Sequence, residues 1–174
     1  MSPFILAAPR AGCKPPPAAP PVRHVWAGAF AVGCGNTVLT ALLGSCVGIG
    51  IIWRSKKRCA LAHCLLADAP DDSSDEAGGE ARYVSSAIPA MLRSLGAREE
   101  NYRELEVVVA GGASLFAGVP APLRVGERNI AALERTVRAL GLHVVHQLLG
   151  GSEGCRITLH CESLTYQTRH IGPA

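Results

Sequence analysis

The stretch TALLGSCV, residues 40–47, joins two apolar runs through a turn of small residues. Gly44 and Ser45 interrupt the apolar pattern, which predicts that one strand ends before them and another begins at Val47. Cys46 is then held at a turn between two strands, where its thiol can meet a substrate. A neighbouring glycine lets backbone N–H groups come close to that substrate, as an oxyanion site requires. The position suits a cysteine nucleophile.

The segment AHCLL, residues 62–66, places a histidine about one hairpin further along the chain. A neighbouring imidazole converts a thiol of ordinary pKa about 8.5 into a usable thiolate and then carries protons. Thr40 lies six positions before Cys46, and its hydroxyl is expected to orient the second ring nitrogen of His63. We therefore interpret Cys46, His63 and Thr40 as nucleophile, base and orienting group.

Outward from this stretch, the apolar pattern predicts a layered α/β or α+β domain with helices packed on a sheet. Turn signals and β-branched runs predict strands over residues 25–32, 38–43, 47–53, 59–66, 105–110, 143–149, 156–161 and 164–169. Helical spacing predicts one helix over residues 83–95, stopped by Gly96, and a second that opens at residues 126–129 and ends at Gly141.

Composition bounds the classes of function. The chain has 174 residues, 48% of them hydrophobic, which suffices for one well-cored domain over residues 24–174. Residues 1–23 hold seven of the twelve prolines and predict a disordered leader. A net charge of +3 without a long basic cluster indicates no nucleic-acid role, and no apolar run is long enough for membrane insertion. The short basic run at residues 54–58 is interpreted as a solvated hairpin tip.

The seven cysteines form no regular framework, so we expect free thiols in a reducing compartment. Cys59, His63 and Cys64 are close in sequence, but on a strand Cys64 points away from the other two. No Cys-x-x-Cys pair completes a tetrahedral set, so no metal site is predicted.

Five pieces of the sequence carry a family resemblance, in this order: T-x-x-L-G-S-C-V at 40–47, A-H-x-x-L at 62–66, AGGASLF at 110–116, VGERN at 125–129, and Gly150-Gly151 with Arg156-Ile157. Together they resemble the chemoreceptor glutamine deamidases, the CheD family of bacterial chemotaxis. The resemblance runs from about His24 almost to the C-terminus. It implies an α/β sandwich with a mixed β-sheet and two main helices, similar also to the catalytic domain of the cytotoxic necrotizing factor toxins.

The resemblance further implies a cytoplasmic enzyme that converts glutamines on methyl-accepting chemotaxis receptors into glutamates and releases ammonia, without a cofactor. Gly44 and Ser45 would help to form the oxyanion site. Arg128 and Asn129, near the start of the second helix, are interpreted either as caps and loop anchors or as substrate contacts. Besides the cytoplasmic helices of the receptor, a CheC-type phosphatase is the second partner that the resemblance offers.

Two other classes of function remain open from the sequence. The same three side chains would serve a cysteine hydrolase with another amide or ester target, including a receptor methylesterase. Alternatively, the chain retains the fold as a non-catalytic adaptor that binds receptor or phosphatase. Conversion of receptor glutamines, compared between the wild type and a Cys46→Ala variant, discriminates among these classes.

Overall fold

The computed structural model describes residues 19–70, 81–114, 120 and 124–172. Its elements in chain order are β1 (Val22–His24), β2 (Phe30–Cys34), β3 (Val38–Leu43), β4 (Val47–Trp53), β5 (Arg58–Cys64), α1 (Val84–Leu95), a short 3₁₀ helix (Glu99–Glu104), β6 (Leu105–Gly111), α2 (Val125–Ala139), β7 (His143–Leu149), β8 (Gly154–His160) and β9 (Thr165–Ile171).

The described strands form two sheets. The outer sheet has the order β1-β3-β8-β9, and the central sheet has the order β2-β5-β4-β6-β7. Both are mixed, because β1 pairs with β3 and β6 pairs with β7 in parallel, while the remaining pairs are antiparallel. The turn at residues 44–46 carries the chain from β3 in the outer sheet to β4 in the central sheet.

The sheets and helices stack in three layers. One core lies between the two sheets and includes Leu39, Ala41 and Ile157 of the outer sheet. The other lies between the central sheet and the helices α1 and α2, and includes Ile49 and Met91. Strand β4 alternates between the two cores, and its whole length is buried. The candidate nucleophile is therefore attached to the most buried strand of the fold.

The predicted layered α/β architecture with two main helices is confirmed. Helix α1 ends at Gly96, which adopts a left-handed conformation with φ of 75°, and α2 is followed by Gly141 with φ of 62°. The basic run at residues 54–58 forms the turn and first residue of the β4–β5 hairpin, where Arg54 Nε donates to Glu106 Oε1 at 2.6 Å. The division of the strands into two sheets was not predicted.

One predicted strand is wrong. Residues 25–32 were expected to be a single strand, but residues 25–29 form a loop and β2 begins only at Phe30. A short strand precedes that loop, and it includes Val22 and Arg23 at the end of the predicted leader. Its partner is β3, and Val25 N also donates to Thr40 O at 2.8 Å.

Several sequence predictions lie partly or wholly outside the described residues. Residues 1–18 of the predicted leader belong to this group. So do residues 71–80 of the segment 68–80, whose Asp, Ser, Glu and Gly residues predict an exposed loop. Asp68, at the start of that loop, forms an ion pair with Arg135 of α2 at 2.9 Å. Among the described residues, no helix has the length and hydropathy that a membrane span requires.

Candidate functional site

Cys46 and His63 lie on the same face of the central sheet. The register of β4 and β5 places Gly48 opposite His63, and its continuation places Cys46 opposite Leu65. Cys46 packs against the core between the sheets, which fixes the face that its side chain occupies. Diagonal neighbours on one face of an antiparallel pair are about 7–8 Å apart between Cα atoms, within reach of long side chains. The strand register thus brings the two predicted residues together.

The ring of His63 is held by a backbone carbonyl. Its Nδ1 lies 3.2 Å from Val25 O, in a buried position. The loop before β2 also holds the backbone of this residue, since Gly28 N donates to His63 O at 2.8 Å and His63 N donates to Ala29 O at 3.0 Å. A carbonyl can only accept, so Nδ1 carries the proton and Nε2 keeps its lone pair. The tautomer is the one that a general base requires.

Burial favours the neutral form of both groups. Burial raises the pKa of the Cys46 thiol above its ordinary value, and a hydrogen bond with its own backbone lowers it by less. Burial likewise lowers the pKa of His63, and the bond to Val25 offsets part of this. No hydrogen bond joins the two side chains among the described residues. The resting pair is therefore a thiol and a neutral imidazole, whereas the sequence led us to expect a thiolate.

Thr40 does not orient the imidazole through its hydroxyl. Strand alternation turns its side chain to the open face of the outer sheet, away from His63, because its neighbours Leu39 and Ala41 face the core between the sheets. Its Oγ1 donates to Ile157 O at 3.0 Å and lies 3.1 Å from Thr158 Oγ1. Only the backbone of Thr40 supports the site, through the bond from Val25 N to Thr40 O. The sequence thus identified Thr40 as a residue beside the site, but the group that supports the site is its backbone carbonyl and not its hydroxyl.

All three carbonyl groups of the turn that carries Cys46 are hydrogen-bonded. Gly44 O accepts from Ala113 N at 2.9 Å, and Cys46 O accepts from Gly112 N at 2.8 Å. Ser45 O accepts from Asn129 Nδ2 at 3.0 Å. In a trans peptide the N–H points opposite to the carbonyl, so the N–H groups of Ser45 and Cys46 point away from these anchors. These two N–H groups are therefore candidates for the donors of an oxyanion site.

Asn129 is an internal bridge. Its side chain is fully buried, and Nδ2 donates to both Ser45 O and Leu65 O at 3.0 Å. One amide thereby joins the nucleophile turn to the end of β5, two residues after His63. Its Oδ1 is buried, and no atom of the described residues forms a hydrogen bond with it. Of the two interpretations given to Asn129, the structure supports the anchor. Arg128, next to it in α2, is exposed.

Glycines let α2 approach residues 111–113 closely enough for Asn129 to bridge the nucleophile turn and the end of β5. A Cβ on Gly126 would collide with the carbonyl of Gly112, and a Cβ on Gly112 would lie 2.6 Å from Ile130 Cγ1. Gly111 has φ of 101°, and a Cβ there would collide with the carbonyl of Cys46. Gly150 N completes the contact by donating to Gly111 O at 2.9 Å. The glycine pair at 111–112 thus packs against the site.

Cys64 and Cys59, which lie near His63 in the sequence, face different cores. Cys64 faces the helices and is fully buried, and burial raises its pKa strongly. Cys59 faces the opposite core with Cys161, so the three residues considered for a metal do not share a face. Within the described residues, no group of three His, Cys, Asp or Glu side chains has the geometry of a metal site.

Comparison with known proteins gives consistent matches. Residues 65–170 match a family model described as CheD chemotactic sensory transduction. The chain is 35% identical over 164 residues to a Ruegeria protein named probable chemoreceptor glutamine deamidase CheD 2, with 85% of this chain and 91% of that relative covered. A Bdellovibrio bacteriovorus protein named probable chemoreceptor glutamine deamidase CheD is 36% identical over 142 residues, which cover 80% and 89%. A Halalkalibacterium halodurans protein named chemoreceptor glutamine deamidase CheD is 33% identical over 141 residues, which cover 79% and 86%.

Among solved structures, the Neisseria meningitidis protein NMB0706 aligns with a TM-score of 0.44 at 11% identity, over 76% of this chain and 64% of that one. The family model spans Arg128, Asn129, Gly126 and the glycine pair at 111–112, and it begins two residues after His63. The roles of Cys46 and His63 accordingly rest on their geometry and chemistry.

Proposed function

We propose, on the premise that this chain belongs to the CheD family, that it hydrolyses glutamine side chains of chemoreceptors to glutamates and releases ammonia. The observation that carries the proposal is the shared face of Cys46 and His63, with the imidazole fixed by Val25 O at 3.2 Å. A primary amide is a weak electrophile, so the reaction needs a nucleophile, a base and an oxyanion site. The described residues supply a candidate for each.

In the first step the thiol of Cys46 attacks the amide carbon of the substrate glutamine. Nε2 of His63 takes the thiol proton as the new S–C bond forms. Because both groups are neutral at rest, this transfer accompanies the attack and no preformed ion pair is needed. Catalytic hydrogen bonds are often long in free enzymes and tighten when substrate binds, which fits the absence of a direct bond between the two side chains here.

The developing oxyanion is stabilised by the N–H groups of Ser45 and Cys46. These groups are aimed by the anchored carbonyls of the turn, so they need no rearrangement when charge appears on the oxygen. The tetrahedral intermediate collapses when the imidazolium of His63 gives its proton to the departing nitrogen. Ammonia leaves, and the substrate carbonyl remains bound to Cys46 as a thioester.

Water completes the reaction. The neutral imidazole of His63 removes a proton from a water molecule, which attacks the thioester carbon. Collapse of the second tetrahedral intermediate breaks the C–S bond and returns the proton to sulfur, which restores the thiol and releases a glutamate side chain. The same two side chains serve both halves of the reaction.

The proposed partners are the cytoplasmic helices of methyl-accepting chemotaxis receptors, which places the protein in the cytoplasm. A CheC-type phosphatase is proposed as a second partner, on the family resemblance alone. Co-purification of the chain with a phosphatase of this type from the same organism tests that part separately, and failure to associate would leave the deamidase proposal intact.

The activity is tested by incubating the purified protein with the cytoplasmic fragment of a receptor from the same organism. Peptide masses and ammonia release are followed for the wild type, for Cys46→Ala and for Cys64→Ala. The last variant is a matched control, since Cys64 is also next to His63 but faces the helices. We expect conversion of specific glutamines by the wild type and the control, and none by Cys46→Ala.

Conversion that persists in Cys46→Ala would remove the thiol mechanism. Fragments left unmodified by the wild type would remove the proposed activity and favour a binding role. Turnover of simple amides or of receptor methyl esters, without loss of receptor amides, would favour a hydrolase with another target.

A further inference from the structure

The open face of the outer sheet carries a row of residues beside the candidate site. The strand registers pair Leu42 of β3 with Arg156 of β8, and Arg156 with Arg169 of β9. The neighbours of Leu42 and of Arg156 along their strands point into the core between the sheets. Arg169 shares the face of Arg156, because residues directly opposite on neighbouring strands lie on one face. The row therefore faces away from that core.

Trp26 extends the row at the other side of Leu42. It follows β1 by two residues, and the last pair of β1 joins His24 to Thr40, two residues before Leu42. Its ring lies 6.3 Å from the ring of His24, which occupies the open face with Thr40. The side chains of Trp26 and Leu42 are 77% and 51% exposed, so both large apolar groups are open to solvent. Continuation of the β1–β3 register by two residues would place them opposite each other.

The two arginines form an uncompensated pair of charges. Like charges directly opposite each other in a sheet destabilise it. None of the ion pairs within the described part of the chain involves Arg156 or Arg169, and neither has a further interaction there. The fold therefore retains a local repulsion that a neutral residue at either position would relieve. An acidic ligand would also relieve it.

The row is adjacent to the candidate catalytic pair. Trp26 follows directly after Val25, whose carbonyl holds the ring of His63. Leu42 is separated from Cys46 by three residues, at the end of the strand that leads into the nucleophile turn. The row and the candidate pair thus meet at the same end of β3, on opposite faces of the outer sheet. A segment docked on the row reaches the thiol by passing around that end of the strand.

We propose that Trp26, Leu42, Arg156 and Arg169 form the surface on which an acidic, amphipathic helical segment of the substrate docks. This inference rests on the proposed function and names the part of the protein that recognises the substrate. The apolar stripe of such a helix would cover Trp26 and Leu42, while carboxylates on its flank would pair with the two arginines. The chain's own residues 1–18 do not suit this face, since their charged side chains are Arg10 and Lys14.

Binding is measured with full-length Cys46→Ala protein, so that the receptor fragment is not consumed. The chain contains two tryptophans, and Trp53 is 3% exposed. Quenching of fluorescence by acrylamide therefore reports on Trp26. We expect saturating receptor fragment to protect Trp26 from quenching, and a Trp26→Phe variant to lose that signal.

Charge reversal tests the arginines. In the otherwise wild-type enzyme, Arg169→Glu is expected to raise KM for the receptor fragment at least about threefold at low salt, with kcat nearly unchanged. Added salt should narrow the difference in KM between the wild type and Arg169→Glu, because salt screens exposed charges. Arg103→Glu is the matched control: it makes the same charge change on the 3₁₀ helix that precedes β6, near the opposite end of β4, and should leave KM within about twofold.

Equal KM values for the two charge-reversal variants would overturn the inference, as would fragment binding that leaves Trp26 open to acrylamide. Protection of Trp26 in the free protein would also overturn it, because a second copy or the chain's own leader would then occupy the face. Failure of the proposed function gives a different result: the wild type would then bind the fragment but convert no glutamine.

Discussion

Replacing Asn129 tests whether the bridge between the nucleophile turn and β5 holds the site together. In Asn129→Ala, the carbonyls of Ser45 and Leu65 both lose the donor that lies 3.0 Å away. Each buried acceptor left without a partner lowers the free energy of unfolding by about 1–3 kcal/mol. Removal of Oδ1, which has no hydrogen-bond partner among the described residues, offsets part of this loss. We therefore expect the free energy of unfolding to fall by about 2–4 kcal/mol.

The isosteric Asn129→Asp variant sharpens this prediction. A carboxylate has the shape of the amide but cannot donate, so it would direct lone pairs and a buried charge at two carbonyl oxygens. We expect this variant to be less stable than Asn129→Ala, although it preserves more atoms. Asn101→Ala serves as a control. The Asn101 side chain accepts from Arg98 N and bonds to the fully exposed carboxylate of Glu104, and because water can replace these bonds at the surface, its loss should cost less than about 1 kcal/mol.

Urea unfolding and steady-state deamidation are measured on the same preparations. Loosening of the turn should lower kcat in Asn129→Ala by at least about tenfold, which corresponds to roughly 1.4 kcal/mol of lost transition-state stabilisation. A loss of stability below about 0.5 kcal/mol, or an Asp variant as stable as the wild type, would refute the role that we assign to the amide.

Three further predictions concern the backbone, the ionisation state and Thr40. Gly111→Ala should lower stability and activity more than Gly141→Ala. Both glycines have positive φ, but only at Gly111 would the added Cβ collide with the Cys46 carbonyl. Equal losses of stability in urea unfolding would contradict this close packing. Alkylation of Cys46 by iodoacetamide should be slow at neutral pH and should accelerate as the pH rises past the ordinary range of a thiol, because burial raises the pKa of Cys46. The value of kcat/KM should fall only when the pH drops below the ordinary pKa of histidine, about 6.5, because burial lowers the pKa of His63. Rapid alkylation in mild acid would instead show a preformed thiolate. Thr40→Val should cost about 1 kcal/mol of stability while kcat changes less than about threefold, and a larger loss of kcat would restore the hydroxyl as an orienting group.

The features that the sequence predicted correctly are those that a local pattern of residues determines. The Val, Ile and Gly residues of β4 and the apolar run of β6 predicted two strands, and both are confirmed. Gly96 and Gly141 stop their helices because each follows the last helical turn with a positive φ. The position of Cys46 at a turn and of His63 on the next strand followed from spacing, and the register of β4 and β5 brings them to one face.

Other features depend on contacts between distant parts of the chain. The group that holds His63 is the carbonyl of Val25, and a backbone atom leaves no mark in the residue types of a sequence. Thr40 was assigned to the imidazole because it lies six positions before Cys46, yet the alternation of β3 turns its side chain to the other face. The amide of Asn129 spans 84 residues to reach Ser45 O, a contact that only the packing of α2 reveals.

The central claim is that the Cys46 thiol forms a covalent bond with the substrate carbonyl. Single-turnover mixtures of wild-type protein and receptor fragment, quenched in acid and digested, are examined by mass spectrometry for a receptor peptide joined to the peptide that contains Cys46. The mechanism predicts a transient thioester on this sulfur that appears with ammonia release and decays with formation of glutamate. Steady conversion of glutamine with no adduct on Cys46, or with an adduct on another cysteine, would contradict it.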